Sequence, residues 1–205
     1  MTVKQFVFAC ISLMALGTAG CGKVRYPNHY TLALAPSLEP APRGRRLGSV
    51  VVREFETPPY LRQSRIVYRE SPTQVGFYEY HRWVTDPATT ITAAVVDTLR
   101  SSGAFSPVEW DNKRAKTDFL LRGQLERLDE IDYGGGVHVE VRISAQLVDL
   151  RDKSAIWSGT QTETAKVQKA AVNSVVIEMS HATQKCIDRL MADMQQHLGG
   201  APALW

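Results

Sequence analysis

The stretch VHVEVRISAQLVDL, Val137 to Leu150, decides the fold: Val137, Val139, Val141, Ile143, Ala145 and Leu147 alternate with His138, Glu140, Arg142, Ser144 and Gln146. Period two without a break is the pattern of a strand with one face in a core and one face in water or against a partner. Upstream, Phe119 to Ile131 reads as a second strand, joined to the first through the flexible turn Tyr133-Gly134-Gly135-Gly136. Downstream, the turn at Arg151-Asp152-Lys153-Ser154 returns the chain into a third strand, Ile156 to Glu163. Three strands joined by short turns make an antiparallel meander.

Elements on either side complete an α+β pattern. Ser49 to Phe55 is a β-branched run stopped by Pro58 and Pro59, and Arg65 to Glu70 with Val75 to Val84 forms a hairpin across Ser71-Pro72-Thr73. Asp86 is a good N-cap with Pro87 at the first helical position, and Ile91, Ala94, Val95, Thr98 and Leu99 recur at helical spacing before Gly103. A last helix over Ala171 to Leu198 carries the stripe Val172, Val176, Met179, Cys186, Leu190 and Met194. The expected architecture is an antiparallel β-sheet with two helices packed on one face, in one domain over 47–199 followed by a short tail, 200–205. No internal repeat at a solenoid period is present.

The N-terminus reads differently. Lys4 precedes an apolar run from Phe6 to Leu16, and the small residues Thr18, Ala19 and Gly20 stand directly before Cys21. The run is too short to span a bilayer comfortably, so residues 1–20 read as a signal peptide. The similarity to bacterial lipobox sequences implies cleavage before Cys21, with acyl chains on its thiol and new amino group; the alternative is an ordinary secretory signal cut near Ala19. Gly22 rather than Asp follows Cys21, so the common inner-membrane retention signal is absent and the outer membrane is the expected home. Residues 21–46, with Pro27, Pro36, Pro40, Pro42 and the cluster Arg43, Arg45, Arg46, read as an extended tether holding at most a short strand at Tyr30 to Leu34.

Charge and chemistry exclude several classes. Lys4 is the one charged residue of the first twenty, which leaves 23 basic against 21 acidic side chains, too even a balance to announce nucleic acid. With Cys10 in the signal and Cys21 as the lipid site, Cys186 stands alone on the apolar face of a helix and reads as a buried structural thiol. No G-x-x-x-x-G-K-[ST], H-E-x-x-H, paired C-x-x-C, EF-hand loop or G-x-S-x-G occurs, so no catalytic residue, cofactor or metal site is expected. His138 and Glu140 share a strand face, but Arg142 and Gln146 continue the same row, which is that of a solvated polar face.

The aromatic strand is the candidate contact surface. Strict alternation puts Tyr78 and Tyr80 on one face and Phe77, Glu79, His81 and Trp83 on the other. A core accounts for one face only, so Tyr78, Tyr80 and Trp83 are the candidate partner-binding residues.

The block from Arg65 to Phe105, RIVYRESPTQVGFYEYHRWVTDPATTITAAVVDTLRSSGAF, resembles the auxiliary lipoproteins of MCE-type ABC transporters, and in particular the paraquat-inducible protein C-like lipoproteins. The matching features are Arg65, Ile66, Tyr68 and Arg69 of an R-I-x-Y-R strand, the run Tyr80-His81-Arg82-Trp83, the helix-opening Pro87, and the later D-F-x-L-R-G-x-L and W-S-G strands around Asp118 and Trp157. The likeness covers most of the mature chain. It implies a small periplasmic α+β domain, lipid-anchored and without catalysis. Its implied partners are an MCE subunit, a permease and an ATPase that move lipids between two membranes. Two other readings stay open on the residues alone: an outer-membrane assembly lipoprotein that docks onto or plugs a β-barrel, and a periplasmic hydrolase with an unrecognised site.

Overall fold

Eight strands and two helices follow one another among the described residues: β1 (Asn28–Tyr30), β2 (Gly48–Val52), β3 (Arg65–Ser71), β4 (Gln74–Trp83), α1 (Pro87–Ser102), β5 (Phe105–Trp110), β6 (Phe119–Ile131), β7 (His138–Asp149), β8 (Ser154–Lys166) and α2 (Val172–Gly200). The computed structural model describes residues 25–35, 47–112, 116–169 and 171–200. Residues 1–20, read above as a signal peptide, together with Cys21, Gly22, the Arg43–Arg46 cluster and residues 201–205, lie outside the described residues.

The sheet is organised by β6. One of its edges pairs antiparallel with β7 from Phe119↔Asp149 to Ile131↔His138, and β7 pairs antiparallel with β8 along its whole length. The other edge is shared. Phe119 to Leu121 take β2, Asp129 to Ile131 take β3, and a lone bridge from Glu56 to Gln124 spans the interval. The sheet therefore forks into a β2–β5 arm and a β3–β4–β1 arm. The meander and the β3–β4 hairpin are antiparallel as expected, but β1–β4, β2–β5, β2–β6 and β3–β6 are parallel, which makes the sheet mixed. The parallel pairs arise where the chain returns after a long connection instead of a tight turn.

One face of this sheet carries the core and both helices. Val139, Val141, Ile143, Ala145 and Leu147 of β7 are buried, beside Leu121, Leu125 and Leu128 of β6. Leu125 and Leu128 are three residues apart and both buried because β6 carries a bulge between Leu125 and Arg127 that restores the side-chain phase. The predicted stripe of α1 is buried at every position, and Asp86 Oδ1 accepts the Ala88 N–H at 2.8 Å to cap its start. Gly103 ends the helix at φ 68°, in the left-handed region that glycine enters without a Cβ penalty. On α2, Met179, Cys186, Leu190 and Met194 are buried against β7 and β8. Trp157 Nε1 donates to Asp193 Oδ2 at 2.8 Å, and Arg189 pairs with Glu163. The opposite face of β6 to β8 is polar: Arg127 bonds Glu140 at 2.7 Å, Arg142 bonds Glu126 at 2.8 Å, and Thr160, Thr162 and Thr164 are exposed.

The N-terminal segment is part of the fold. β1 adds to the edge of β4 in parallel, and Leu32 is buried. The Ala33 N–H donates to Ser180 Oγ at 3.1 Å and the Ala35 N–H to Gln184 Oε1 at 2.9 Å, so Asn28 to Ala35 straps the sheet edge to α2. The chain is thus ordered against the domain well ahead of Leu47.

Candidate functional site

The three residues singled out from the aromatic strand reach different environments. Strict alternation fails on β4 because its register with β3 jumps from Arg65↔Arg82 to Val67↔Phe77, which loops out residues 78–81 relative to β3. Tyr78 and His81 are thereby brought together, edge to face at 5.4 Å, although alternation assigns them to opposite faces. Tyr78 is partly buried, its ring lies tilted against that of Tyr68 with centroids 5.1 Å apart, and its hydroxyl donates to Glu130 Oε2 at 2.9 Å. Burial, and then the Glu130 charge, push that hydroxyl well above the ordinary phenol range. Tyr80 keeps partial exposure beside Glu79, whose hydrogen bond raises its hydroxyl. Trp83 is only 6% exposed and belongs to the core, so it offers little surface to a partner. Cys21, the lipidation candidate, lies outside the described residues.

Around Tyr78 the structure assembles a polar cluster that sequence reasoning missed. Tyr30 of β1 shares a 2.8 Å hydrogen bond with His81 Nδ1, so the chain Tyr30–His81–Tyr78–Glu130 runs from the sheet edge inward. Glu130 is 5% exposed, paired across to Val139 on the core side of the sheet. On the other side of the sheet its neighbour Asp129 is fully buried. Asp129 Oδ2 accepts Arg69 Nε at 2.5 Å, while Tyr60 lies over the Arg69 guanidinium at 5.6 Å. Burial raises the Asp129 carboxyl and outweighs the pull of Arg69 and Arg127. The legible signal was the spacing of Leu125 and Leu128, which breaks period two and implies the bulge after which Glu130 shares the core face with Leu128.

Glu130 makes a pH prediction. Burial raises its carboxyl above the ordinary value, and the Tyr78 hydrogen bond only partly offsets that. The folded state therefore holds this proton more tightly than the unfolded chain. Its contribution to stability is full below the ordinary carboxyl range and is lost as pH rises through the raised folded value. Glu130→Gln, which keeps an acceptor for Tyr78, is expected to raise Tm at neutral pH and to leave it nearly unchanged in acid. Melting curves from pH 3 to 8 check this; a loss of Tm at neutral pH rules it out.

The residues that carried the resemblance prove architectural. A Cβ on Gly76 would lie 2.2 Å from Tyr68 Cζ, and one on Gly123 2.4 Å from the Phe55 ring, so each glycine makes room for an aromatic lid. Asp118 Oδ2 accepts both the Ser49 N–H at 2.8 Å and the Ser49 hydroxyl at 2.7 Å, fastening β2 to β6 and lowering the Asp118 carboxyl. Trp157 lies against Gly159 and reaches α2 through Asp193. Cys186 is fully buried, its Sγ is 3.7 Å from the Val141 carbonyl, and burial pushes its thiol up to about 12. His138 Nδ1 lies 3.2 Å from the Gly136 carbonyl and Glu140 binds Arg127; among the described residues no group of three or more His, Cys, Asp or Glu is arranged to hold a metal.

These features define a helix-on-sheet domain whose distinctive side chains serve packing and strand attachment. The chain belongs to the ABC-type transport auxiliary lipoprotein component family, whose model matches residues 30–194. That family is defined by an auxiliary role in transport and by membrane-anchored lipoproteins of the envelope, not by an enzymatic activity. Among solved structures, the protein XCC0632 from Xanthomonas campestris, of family DUF330, is 16% identical with a TM-score of 0.73, over 84% of this chain and 97% of that one. An uncharacterized protein is 14% identical with a TM-score of 0.65, over 83% and 99%. A hypothetical protein from Chlamydia trachomatis is 10% identical with a TM-score of 0.50, over 75% and 99%. At these identities the likeness is one of fold. No curated protein matches the chain by sequence.

Proposed function

We propose that this chain is a non-enzymatic, periplasm-facing component of an MCE-type ABC transport system that moves lipids between the inner and outer membranes. In this reading Cys21 carries the lipid anchor and Gly22 directs the protein to the outer membrane. The domain docks the MCE subunit, which works with a permease and an ATPase. The family match across residues 30–194 carries the reading, because it spans almost the whole described domain. The resemblance of Arg65–Phe105 to the MCE-associated lipoproteins supplies the finer assignment. The test is an affinity pull-down from detergent-solubilised membranes with identification of the co-purifying proteins. Recovery of the MCE subunit supports the proposal, whereas recovery of a β-barrel protein without it favours the assembly-lipoprotein alternative.

A second expectation concerns chemistry. The purified domain is expected to show no ATP or ester hydrolysis above background, since the sequence carries neither a phosphate-binding loop nor an activated nucleophile. Turnover abolished by changing a single side chain overturns this.

A further inference from the structure

We propose that the end of the domain bearing Arg25, Tyr26 and the Ser71–Gln74 turn lies against the bilayer that holds the Cys21 acyl chains, a lipid surface with anionic headgroups. This rests on the lipidation of Cys21 put forward above, and it goes beyond it by fixing which surface faces the membrane. Six residues, Gly22 to Pro27, separate Cys21 from the first residue of β1. Fully extended, the step from Cys21 to Asn28 spans at most about 25 Å, against about 90 Å for a chain free from Cys21 to Leu47. The pairing of Asn28 with His81, and the hold of Ser180 and Gln184 on Ala33 and Ala35, remove the longer option.

The direction of the strands then selects the end. β1 runs parallel to β4, so the chain before Asn28 enters from the side of the Ser71–Gln74 turn. From the level of Arg82 to that turn, the six steps of β3 from Arg65 to Ser71 cover about 20 Å of sheet, so the tether barely clears the end of the domain. Tyr26, at 80%, is the most exposed large apolar side chain among the described residues, and it stands on this entering segment beside Arg25. Aromatic rings favour the headgroup level of a membrane, and basic side chains are drawn to its anionic lipids. Lys166, the last residue of β8, pairs with His138 at this same end of the sheet and Lys169 follows it; both are exposed, and with Arg25 they stand beside the exposed acidic Glu70 and Asp132.

The experiment uses the mature full-length protein in vesicles of phosphatidylethanolamine and phosphatidylglycerol. Cys186 is buried and its thiol raised, and Cys21 is acylated in this reading, so an introduced cysteine is the one reactive thiol. A bimane label is placed at Tyr26→Cys, at Thr73→Cys in the turn, and at Ser101→Cys on α1 near the opposite end, all exposed positions. With a nitroxide on the lipid headgroup, the labels at 26 and 73 are expected to lose most of their fluorescence and the label at 101 little. Vesicle flotation is read on the same samples. Protein that floats through Cys21 but shows equal quenching at 26 and 101 overturns the orientation while anchorage stands. Protein that stays soluble with Cys21 intact overturns both. Shielding at 26 that appears only when the MCE subunit is added assigns this end to a protein contact and overturns the lipid assignment.

Discussion

Cys21→Ala is expected to move the protein from the membrane fraction into the soluble periplasm, or to leave it as an uncleaved precursor. Among the described residues no helix is long and apolar enough to cross a membrane. Each buried methylene of an acyl chain adds ~0.8 kcal/mol, so several long chains dwarf what Tyr26 and a few basic residues contribute. Fractionation after an alkaline wash, with a mass measurement of the mature N-terminus, reads the result. A mature protein that remains membrane-bound without Cys21 counts against lipidation.

The elements readable from sequence are those whose signals are local. β6 spans Phe119–Ile131 as the pattern predicts, and α1 begins at Pro87 and stops before Gly103, because apolar periodicity and capping residues are written within one segment. β5 escaped notice because Phe105–Trp110 contains Pro107, which argues against a central strand; the structure places it at the end of the β2–β5 arm, where a missing N–H costs little. The short strand expected at Tyr30 to Leu34 lies earlier, as β1 at Asn28–Tyr30, for a different reason. Its three residues sit between Pro27 and Pro36 and acquire strand geometry only by pairing with His81 to Trp83, some fifty residues away. The candidate site was legible to the same extent. The aromatic strand was found, but the bulge that sets its facing depends on how β3 aligns with β4. Nothing in the run Phe77 to Trp83 encodes that alignment.

That bulge leads to the sharpest mutational contrast, between Trp83 and Tyr80. Trp83→Ala is expected to cost ~3–5 kcal/mol, the range for truncating a large buried aromatic, because its ring is 6% exposed within the core that includes Leu32 and Ile66. Its backbone N–H donates to the Ser64 carbonyl at 2.7 Å, and Tyr30 of β1 pairs beside it, so loss of the ring loosens the β1–β4 edge as well. Tyr80 is partly exposed, has no ring packed against it among the described residues, and is expected to change Tm little when replaced by Ala. If the β4 edge is the docking surface, Tyr80→Ala weakens affinity for the purified MCE subunit by ~2 kcal/mol or more, as an interface hot-spot aromatic does. Trp83→Ala leaves the affinity of the surviving folded fraction intact. Thermal melting and binding are therefore measured together on both variants. A Tyr80→Ala protein with wild-type melting and wild-type affinity removes this edge from the docking surface; a Trp83→Ala protein with an unchanged melt contradicts its place in the core.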